Sequence, residues 1–444
     1  MTVIAFVVGV VLLVVGLAVS IALHEIGHLL PAKAFGVRVG QYMIGFGPTL
    51  WSRTFGETEY GVKALPLGGY ISMAGMYPPS PKDVAAAADG GAAGGTEGRA
   101  GGGFFATMVQ DARTANDETL AGSDGKRVFY ELPVHKRIII MLGGPIMNFL
   151  LAIVLMTIVV SGIGLQTATT TVAAVNECVL PAGTTQTECE SGDPASPAAA
   201  AGIQPGDVIV SVDGTPVDTF AEASAIIQAS PDEPLPIVVE RDGREQTLTV
   251  TPMLAERQVQ GEDGQVTTAE VGFVGMTATV AYVPQPIWAG PEAAIEQTGA
   301  VMGIIWQLPV KVYQTAVDMF TGQERDRNGP LSVVGAGRLA GEVAAVDAPV
   351  LDRVASLLGL LASLNIALFV FNLIPLLPLD GGHVVVALWD GLKRAWAKLF
   401  RRPPPKPVDA TKLVPVTFVV VVALVVMGAV LILADIVNPV KLFG

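Results

Sequence analysis

The chain is predicted to be a multi-span α-helical membrane protein of about four transmembrane helices, with a membrane-associated β-hairpin and an inserted extracytoplasmic α+β domain. Three features predict it. The 444 residues are 51% hydrophobic and only 15% charged, with a mean hydropathy of +0.54, too apolar for a soluble globular protein. Four segments reach the roughly twenty residues that a bilayer requires: Val3 to Leu23, Ile138 to Ile163, Val354 to Leu379 and Leu413 to Ile436. Between the second and third spans runs a long stretch of strand, turn and short-helix signals.

The first span, residues 1–30, ends in His24-Glu25-Ile26-Gly27-His28, an HExxH motif. On a helix, His24, Glu25 and His28 fall within an arc of about 100°. Two neutral imidazoles can then hold one Zn²⁺ while the carboxylate between them activates a water as general base. A soluble zincin would place this motif on an amphipathic helix, whereas here the flanks are Val, Ile, Leu, Ala and Phe. A signal peptide is disfavoured, because there is no basic leading segment and cleavage near Ser20 would sever the motif from its helix. Pro31 is expected to end the helix. Lys33 lies about 7.5 Å beyond His28 along a helix, which puts the zinc at shallow depth on the cytoplasmic side.

Residues 31–77 mix Gly with aromatic and β-branched residues and read as a membrane-associated β region. Its clearest hairpin-like part is Pro66 to Gly75, containing Gly68, Gly69, Tyr70, Ile71 and Ser72. Residues 78–125, rich in Ala, Gly and Asp, read as a disordered cytoplasmic insertion. The second span is 138–163. His135-Lys136-Arg137 before it and Lys393, Arg394, Lys398, Arg401, Arg402 and Lys406 between the last two spans assign those flanks to the cytoplasm. The segment from about 164 to 350 is then outside. It carries roughly three acidic residues for each basic one, which is foremost a solvated surface and argues against nucleic acid as a partner. Both cysteines, Cys178 and Cys189, lie there with ten residues between them. An oxidising compartment is compatible with a disulfide, and the spacing leaves a bonded pair and two free thiols both open.

Within that segment, Ser196 to Gly214 reads SPAAAAGIQPGDVIVSVDG: a small helix, a turn, a strand over Val208 to Val212 and an Asp-Gly turn. A helix near Phe220 to Ala229 and strands at Ile237 to Arg241 and Gln246 to Thr251 follow. This string and order resemble a bacterial PDZ domain over 170–255. The resemblance implies peptide binding by strand addition, with a spacer or shield as the alternative. Residues 256–350 are expected to form an extracytoplasmic amphipathic region on the outer leaflet, with Pro291 to Phe320 its most apolar part. The third span is 354–380, a basic cytoplasmic segment covers 381–406, and the fourth span is 413–436.

HExxH leaves zinc in need of a third protein ligand and an open position. Asp380 is the better candidate, because it closes an apolar segment at the depth of the motif, where an uncompensated carboxylate is costly. His383 remains the alternative, and an Asp-Gly turn the bland reading of Asp380. Pro375 and Pro378 would break the helix and let its end turn toward the metal. Asn365 and Asn372 share a helical face and Asn148 lies on the second span. Such amides bridge helices most often; for Asn372 a substrate contact is weighed equally.

Together, HEIGH in the first span, GGPIMNFLLA at Gly143 to Ala152, the PDZ-like segment and NLIPLLPLDGG at Asn372 to Gly382 resemble the site-2 protease family of intramembrane zinc metalloproteases, in its bacterial RseP-like branch. The resemblance covers most of the chain. It implies one catalytic zinc held by His24, His28 and Asp380, Glu25 as catalytic base, the Gly68 to Ser72 hairpin as the membrane-associated β element, and Asn372 as a substrate contact. It also implies location in the bacterial inner membrane. The implied substrates are single-pass membrane proteins, such as anti-sigma factors or signal-peptide remnants, cleaved in two-step signalling. A single PDZ-like segment, where some relatives have two, and the Ala/Gly-rich insertion depart from the pattern. The competing classes are a non-catalytic PDZ scaffold or chaperone, for which Glu25 would be dispensable, and a transporter, which the lack of an inverted repeat disfavours.

Overall fold

A computed structural model describes residues 2–76, 127–179, 189, 193–260, 266–326, 329–403, 405, 408 and 413–440. The insertion expected at 78–125 lies outside the described residues. The chain forms two compact units, one of Met1–Ser161 with Pro286–Gly444 and one of Gly162–Gln285.

The first unit begins with α1 (Thr2–Ala34), whose Val3, Val7, Val11 and Val15 face outward. Pro31 does not end this helix, contrary to expectation. A proline near a helix C-terminus removes one hydrogen bond, here the one to the Gly27 carbonyl. That oxygen instead packs against Gly143 of the next helix. Strands β1 (Val39–Phe55) and β2 (Thr58–Met73) form an antiparallel sheet. Its register sets Gln41 to Ile44 against Ser72 to Gly69 on one side and beside Glu59 to Val62 on the other. Tyr42 Oη donates to the Ala22 carbonyl at 2.8 Å and fastens the sheet to α1. Beneath it Leu29, Val39, Met73, Phe129, Leu132 and Ile140 form a buried cluster that also includes the start of α2 (Val134–Thr157). A π-helical turn, Ile158–Ile163, extends α2.

The second unit holds β3 (Leu165–Val175), α3 (Pro197–Ala200), β4 (Val208–Val212), β5 (Thr215–Pro216), α4 (Phe220–Ala229), β6 (Leu235–Arg241), β7 (Arg244–Val250), β8 (Met253–Gln260), β9 (Val266–Phe273) and β10 (Met276–Val283). One sheet runs β10-β3-β4-β6-β7, with β5 beside β4, and β8 pairs with β9. Leu235, Ile237 and Val239 alternate inward along β6, as the two-residue period of a strand dictates. They pack with Ile209, Val212 and Val250 and with Ala223 and Ile227 of α4. Cys178 and Cys189 form a disulfide with Cα atoms 5.9 Å apart. Strands β8 to β10 belong to this unit, so residues 256–285 are not the amphipathic region expected there. β10 pairs with β3 in the larger sheet, and β8 and β9 pair with each other.

The chain returns to the first unit with α5 (Ala289–Thr321), α6 (Val333–Ala345), α7 (Val350–Asn372), α8 (Asp380–Leu399) and α9 (Val414–Val437). Among the described residues, four helices are long and apolar enough to cross a membrane: Val3–Ala34, Val134–Ile163, Val350–Asn372 and Val414–Val437. The protein is therefore a multi-span membrane protein with β-sheets, and a bilayer covers the apolar side chains its helices turn outward. Two expected boundaries move. The third span stops at Asn372, ahead of Pro375 and Pro378, and the supposed basic segment is a 20-residue helix that opens on Asp380. α5 is a continuous helix of 33 residues packed on α2, α7 and α9.

Buried polar contacts fix the helices. Asn365 on α7 donates to Ser20 Oγ on α1 at 2.9 Å, the helix-bridging role expected of it. Arg137, expected on an exposed basic flank, is buried and pairs with Asp390 of α8 at 3.0 Å. Arg325 pairs with Asp435 of α9.

In the second unit Arg241 grips Asp207 through two hydrogen bonds of 2.6 and 2.7 Å. The guanidinium, helped by the Gln204 N–H, holds the Asp207 carboxyl below its usual range against the opposing effect of burial. A carboxyl depressed in the folded state adds stability above its unfolded pKa of about 3.9 and loses it as pH falls through the folded value. The protection of the β4 amides, taken relative to their intrinsic exchange rates at each pH, is therefore expected to fall on acidification below that range. In Arg241→Met the amides should exchange faster already at pH 7, with a flatter acid limb.

Candidate metal centre

Two helices, α1 and α8, meet at His24, His28 and Asp380. The two histidines sit one turn apart on α1, with ring planes at 81°. Asp380 is the first residue of α8, delivered by the chain reversal after α7. A Cβ at Gly381 would strike the Leu373 and Ile374 carbonyls, and one at Gly382 the backbone of Leu376 and Leu377. The Asp-Gly-Gly sequence thus permits the reversal to close.

The Nε2 atoms of His24 and His28 are 3.2 Å apart, and Asp380 Oδ2 lies 3.4 Å from the first and 3.3 Å from the second. Tetrahedral coordination with bonds near 2.0–2.1 Å has edges of about 3.3–3.4 Å, so this triangle has the size of one face of a zinc tetrahedron. Asp380 Oδ2 is buried and meets no donor in good hydrogen-bond geometry. An orphaned acceptor facing two imidazole nitrogens is what a cation-binding donor set looks like before its ion is considered. Among the described residues this is the group of His, Cys, Asp and Glu side chains able to hold a metal.

The outer ring nitrogens are held by α2. His28 Nδ1 donates to the Ile140 carbonyl at 2.7 Å, which leaves the Nε2 lone pair facing the cluster. The Asn148 amide is 3.3 Å from His24 Nδ1, while Asn148 Oδ1 is buried without a partner. It is Nδ2 that faces His24 Nδ1; turned so that Oδ1 accepts from His24 Nδ1–H, the same amide would leave Nε2 unprotonated. α2 comes this close because of its glycines. A Cβ on Gly143 would strike the Gly27 carbonyl, and one on Gly144 the His28 ring. Asn148 and the glycines were legible only as a polar amide and small residues in an apolar span; their work on the histidines was not.

Glu25 is 7% exposed. A Cβ built on Gly69 would lie 2.9 Å from Glu25 Cγ, so the β2 backbone runs directly past the carboxylate. Gly68 turns there with φ +139°, Tyr70 Oη donates to Gln41 Oε1 at 3.2 Å, Ile71 packs on the buried cluster beneath the sheet and Ser72 is opposite Gln41. Asn372 Nδ2 donates to the Leu368 carbonyl of its own helix at 3.0 Å. The fold thus gathers His24, Glu25, His28, Asp380 and Gly69, and leaves the Asn372 amide engaged within α7.

The sequence matches Peptidase family M50 over residues 12–402. It is 34% identical over 450 residues to zinc metalloprotease Rip1 of Mycobacterium tuberculosis, covering 99% of each chain. With the Rip1 of Mycolicibacterium smegmatis it shares 34% identity over 453 residues, again with 99% of each covered. Metalloprotease MmpA of Caulobacter vibrioides is 30% identical over 402 residues, 88% of each chain.

Removing the support behind the histidines should loosen zinc while sparing the three candidate ligands. Asn148→Ala is expected to weaken zinc affinity about 10- to 100-fold, measured by chelator competition on the purified protein. Gly144→Ala, which drives a methyl group into the His28 ring, should lose zinc to the same chelator at lower concentration than wild type.

Proposed function

Because the chain belongs to peptidase family M50 and is an intramembrane zinc metalloprotease of the site-2 type, we propose that His24, His28 and Asp380 hold its zinc and that Glu25 is the catalytic base. The observation that carries this assignment is the triangle of 3.2, 3.4 and 3.3 Å edges with an orphaned carboxylate oxygen at one corner. Bound zinc supplies Lewis acidity, which polarises a scissile carbonyl and acidifies a neighbouring water. Glu25 takes the proton from that water and passes it to the leaving amine. Ile140 and Asn148 keep the imidazoles in the tautomer and orientation the ligand role demands.

A transmembrane substrate hides its peptide bonds in helical hydrogen bonds, so its cleavage requires local unwinding, and the freed backbone must find partners in protein. Gly68, Gly69, Tyr70, Ile71 and Ser72 lie on the segment of β2 that passes Glu25. Among the described residues, β1 is the strand that pairs with this segment. An unwound substrate adding along its other edge would gain backbone hydrogen bonds while offering a carbonyl beside Glu25. Asn372, released from Leu368, would contact the same extended segment.

The substrates in this reading are single-pass membrane proteins such as anti-sigma factors or signal-peptide remnants, already shortened outside. Residues 170–255 form a PDZ domain on the extracytoplasmic side that takes peptide by strand addition and excludes bulky ectodomains. The basic flanks face the cytoplasm and the zinc lies toward that side.

Glu25→Gln should keep zinc at wild-type stoichiometry, measured by elemental analysis, while cleavage of a model transmembrane helix in proteoliposomes falls to background. Retained cleavage would remove Glu25 from the chemistry. Asp380→Asn should lower zinc affinity and activity together; unchanged affinity would remove Asp380 from the ligand set.

A further inference from the structure

Helix α8 carries an apolar stripe that, among the described residues, stays largely exposed. Val385, Leu388, Trp389, Leu392, Trp396 and Leu399 are 45–74% exposed, and their spacing puts them within an arc of about 100° on one side of the helix. The opposite side is the one buried in the protein, through Ala387, Asp390 and Ala397. Helices packed on a core ordinarily turn polar residues outward. Here the outward side is aliphatic and indole, in a run too large for a water-facing surface.

The charges on this helix complete the pattern. Of its two acids, Asp380 belongs to the metal-ligand cluster, and Asp390 is buried and paired with Arg137 at 3.0 Å and Lys393 at 3.2 Å. Arg394 and Lys398 are exposed, and Arg401 and Arg402 follow them, also exposed. The exposed charge of α8 and its C-terminal extension is therefore cationic; helical spacing sets Arg394 nearly opposite the stripe and Lys398 beyond its edge, while Arg401 and Arg402 follow the stripe's C-terminal end. α8 is connected to two membrane-crossing helices, α7 before it and α9 after it, yet it is not itself apolar enough to cross.

We propose that the outer face of α8 is a docking surface for anionic phospholipid, lying along the leaflet nearest the metal centre with its Trp and Leu stripe among the upper acyl chains and the cations at its C-terminal end, Lys398, Arg401 and Arg402, reaching the headgroups. Indole rings favour that depth, long basic side chains reach headgroups from a helix lying flat, and each cation near an anionic surface adds to the attraction. The inference rests on burial and charge along α8 and not on which residues hold zinc. Its mechanical consequence follows from position: the helix that rests on the lipid begins at Asp380 and is bolted to α2 through Asp390 and Arg137.

The test uses the full chain with Trp51, Trp288 and Trp306 changed to Phe, so that Trp389 and Trp396 report alone, in phosphatidylcholine nanodiscs doped with brominated lipid. At equal mole fraction, brominated phosphatidylglycerol should quench at least about threefold more than brominated phosphatidylcholine. Combined Arg394→Gln, Lys398→Gln, Arg401→Gln and Arg402→Gln should bring that ratio to one, whereas Arg394→Lys, Arg401→Lys and Arg402→Lys should preserve it. Should the glutamine variant fail to assemble, collapse of the ratio in the parent protein on raising salt reports the same electrostatics. Equal quenching by both lipids, or a ratio indifferent to charge removal and salt, overturns the proposal. So does an absence of quenching by either lipid, which would give the face to a protein partner. Loss of the ratio on adding inorganic phosphate at constant ionic strength would assign the cations to free phosphate instead.

Discussion

The backbone of α1 approaches that of α2 at Gly27, Gly143 and Gly144 more closely than any side chain would allow, and the arrangement of the metal site depends on that approach. At this separation the Ile140 carbonyl reaches His28 and the Asn148 amide reaches His24. A wider crossing would leave both imidazoles free to rotate and their tautomers unspecified. Pro31 contributes by freeing the Gly27 carbonyl from helical hydrogen bonding just where Gly143 packs on it. In an apolar solvent, helix association rests on close packing and a few interhelical hydrogen bonds, and this crossing combines both.

The same solvent explains where the chain places its charge. Arg137 pairs with Asp390 and Arg325 with Asp435 inside the helical unit, because a lone charge at that depth is costly and a paired one tolerable. Removing either partner of such a pair strands the other, so these pairs specify which helices meet. Arg137 joins α2, the helix that braces the histidines, to α8, the helix that starts with Asp380. The two sides of the metal cluster are thereby linked a second time, away from the ligands themselves.

The β-sheet solves a different problem. Helices satisfy their own backbone groups, so a helical bundle offers little to the unwound peptide of the proposed reaction, whereas β2 beside Glu25 is a strand whose 69–72 segment pairs with β1 along one edge. Gly69 lacks a side chain at the position where one would meet Glu25, which lets that backbone lie against the carboxylate.

The candidate metal ligands that the fold brings together were legible in the amino-acid sequence because their signals are local or compositional. The one-turn spacing of His24 and His28 needs only helical periodicity, the spans need only length and apolarity, and the strands near Val208, Ile237 and Gln246 need only alternation and Gly turns. Asp380 was legible as a carboxylate in apolar surroundings. The sequence could not assign Arg137 to the interior, carry α1 past Pro31, end the third span at Asn372, or attach residues 256–285 to the β unit. Three of these are decided by a partner far along the chain, Asp390 for Arg137, Gly143 for the carbonyl Pro31 frees and β3 for β10, and the end of the third span by the tight reversal in which Gly381 and Gly382 pack on the Leu373 to Leu377 backbone. Periodicity reports which face of an element is apolar, but not which other element will cover it. The tautomers of His24 and His28 belong to that second kind of fact, since they are set by Asn148 and Ile140, which lie more than a hundred residues away.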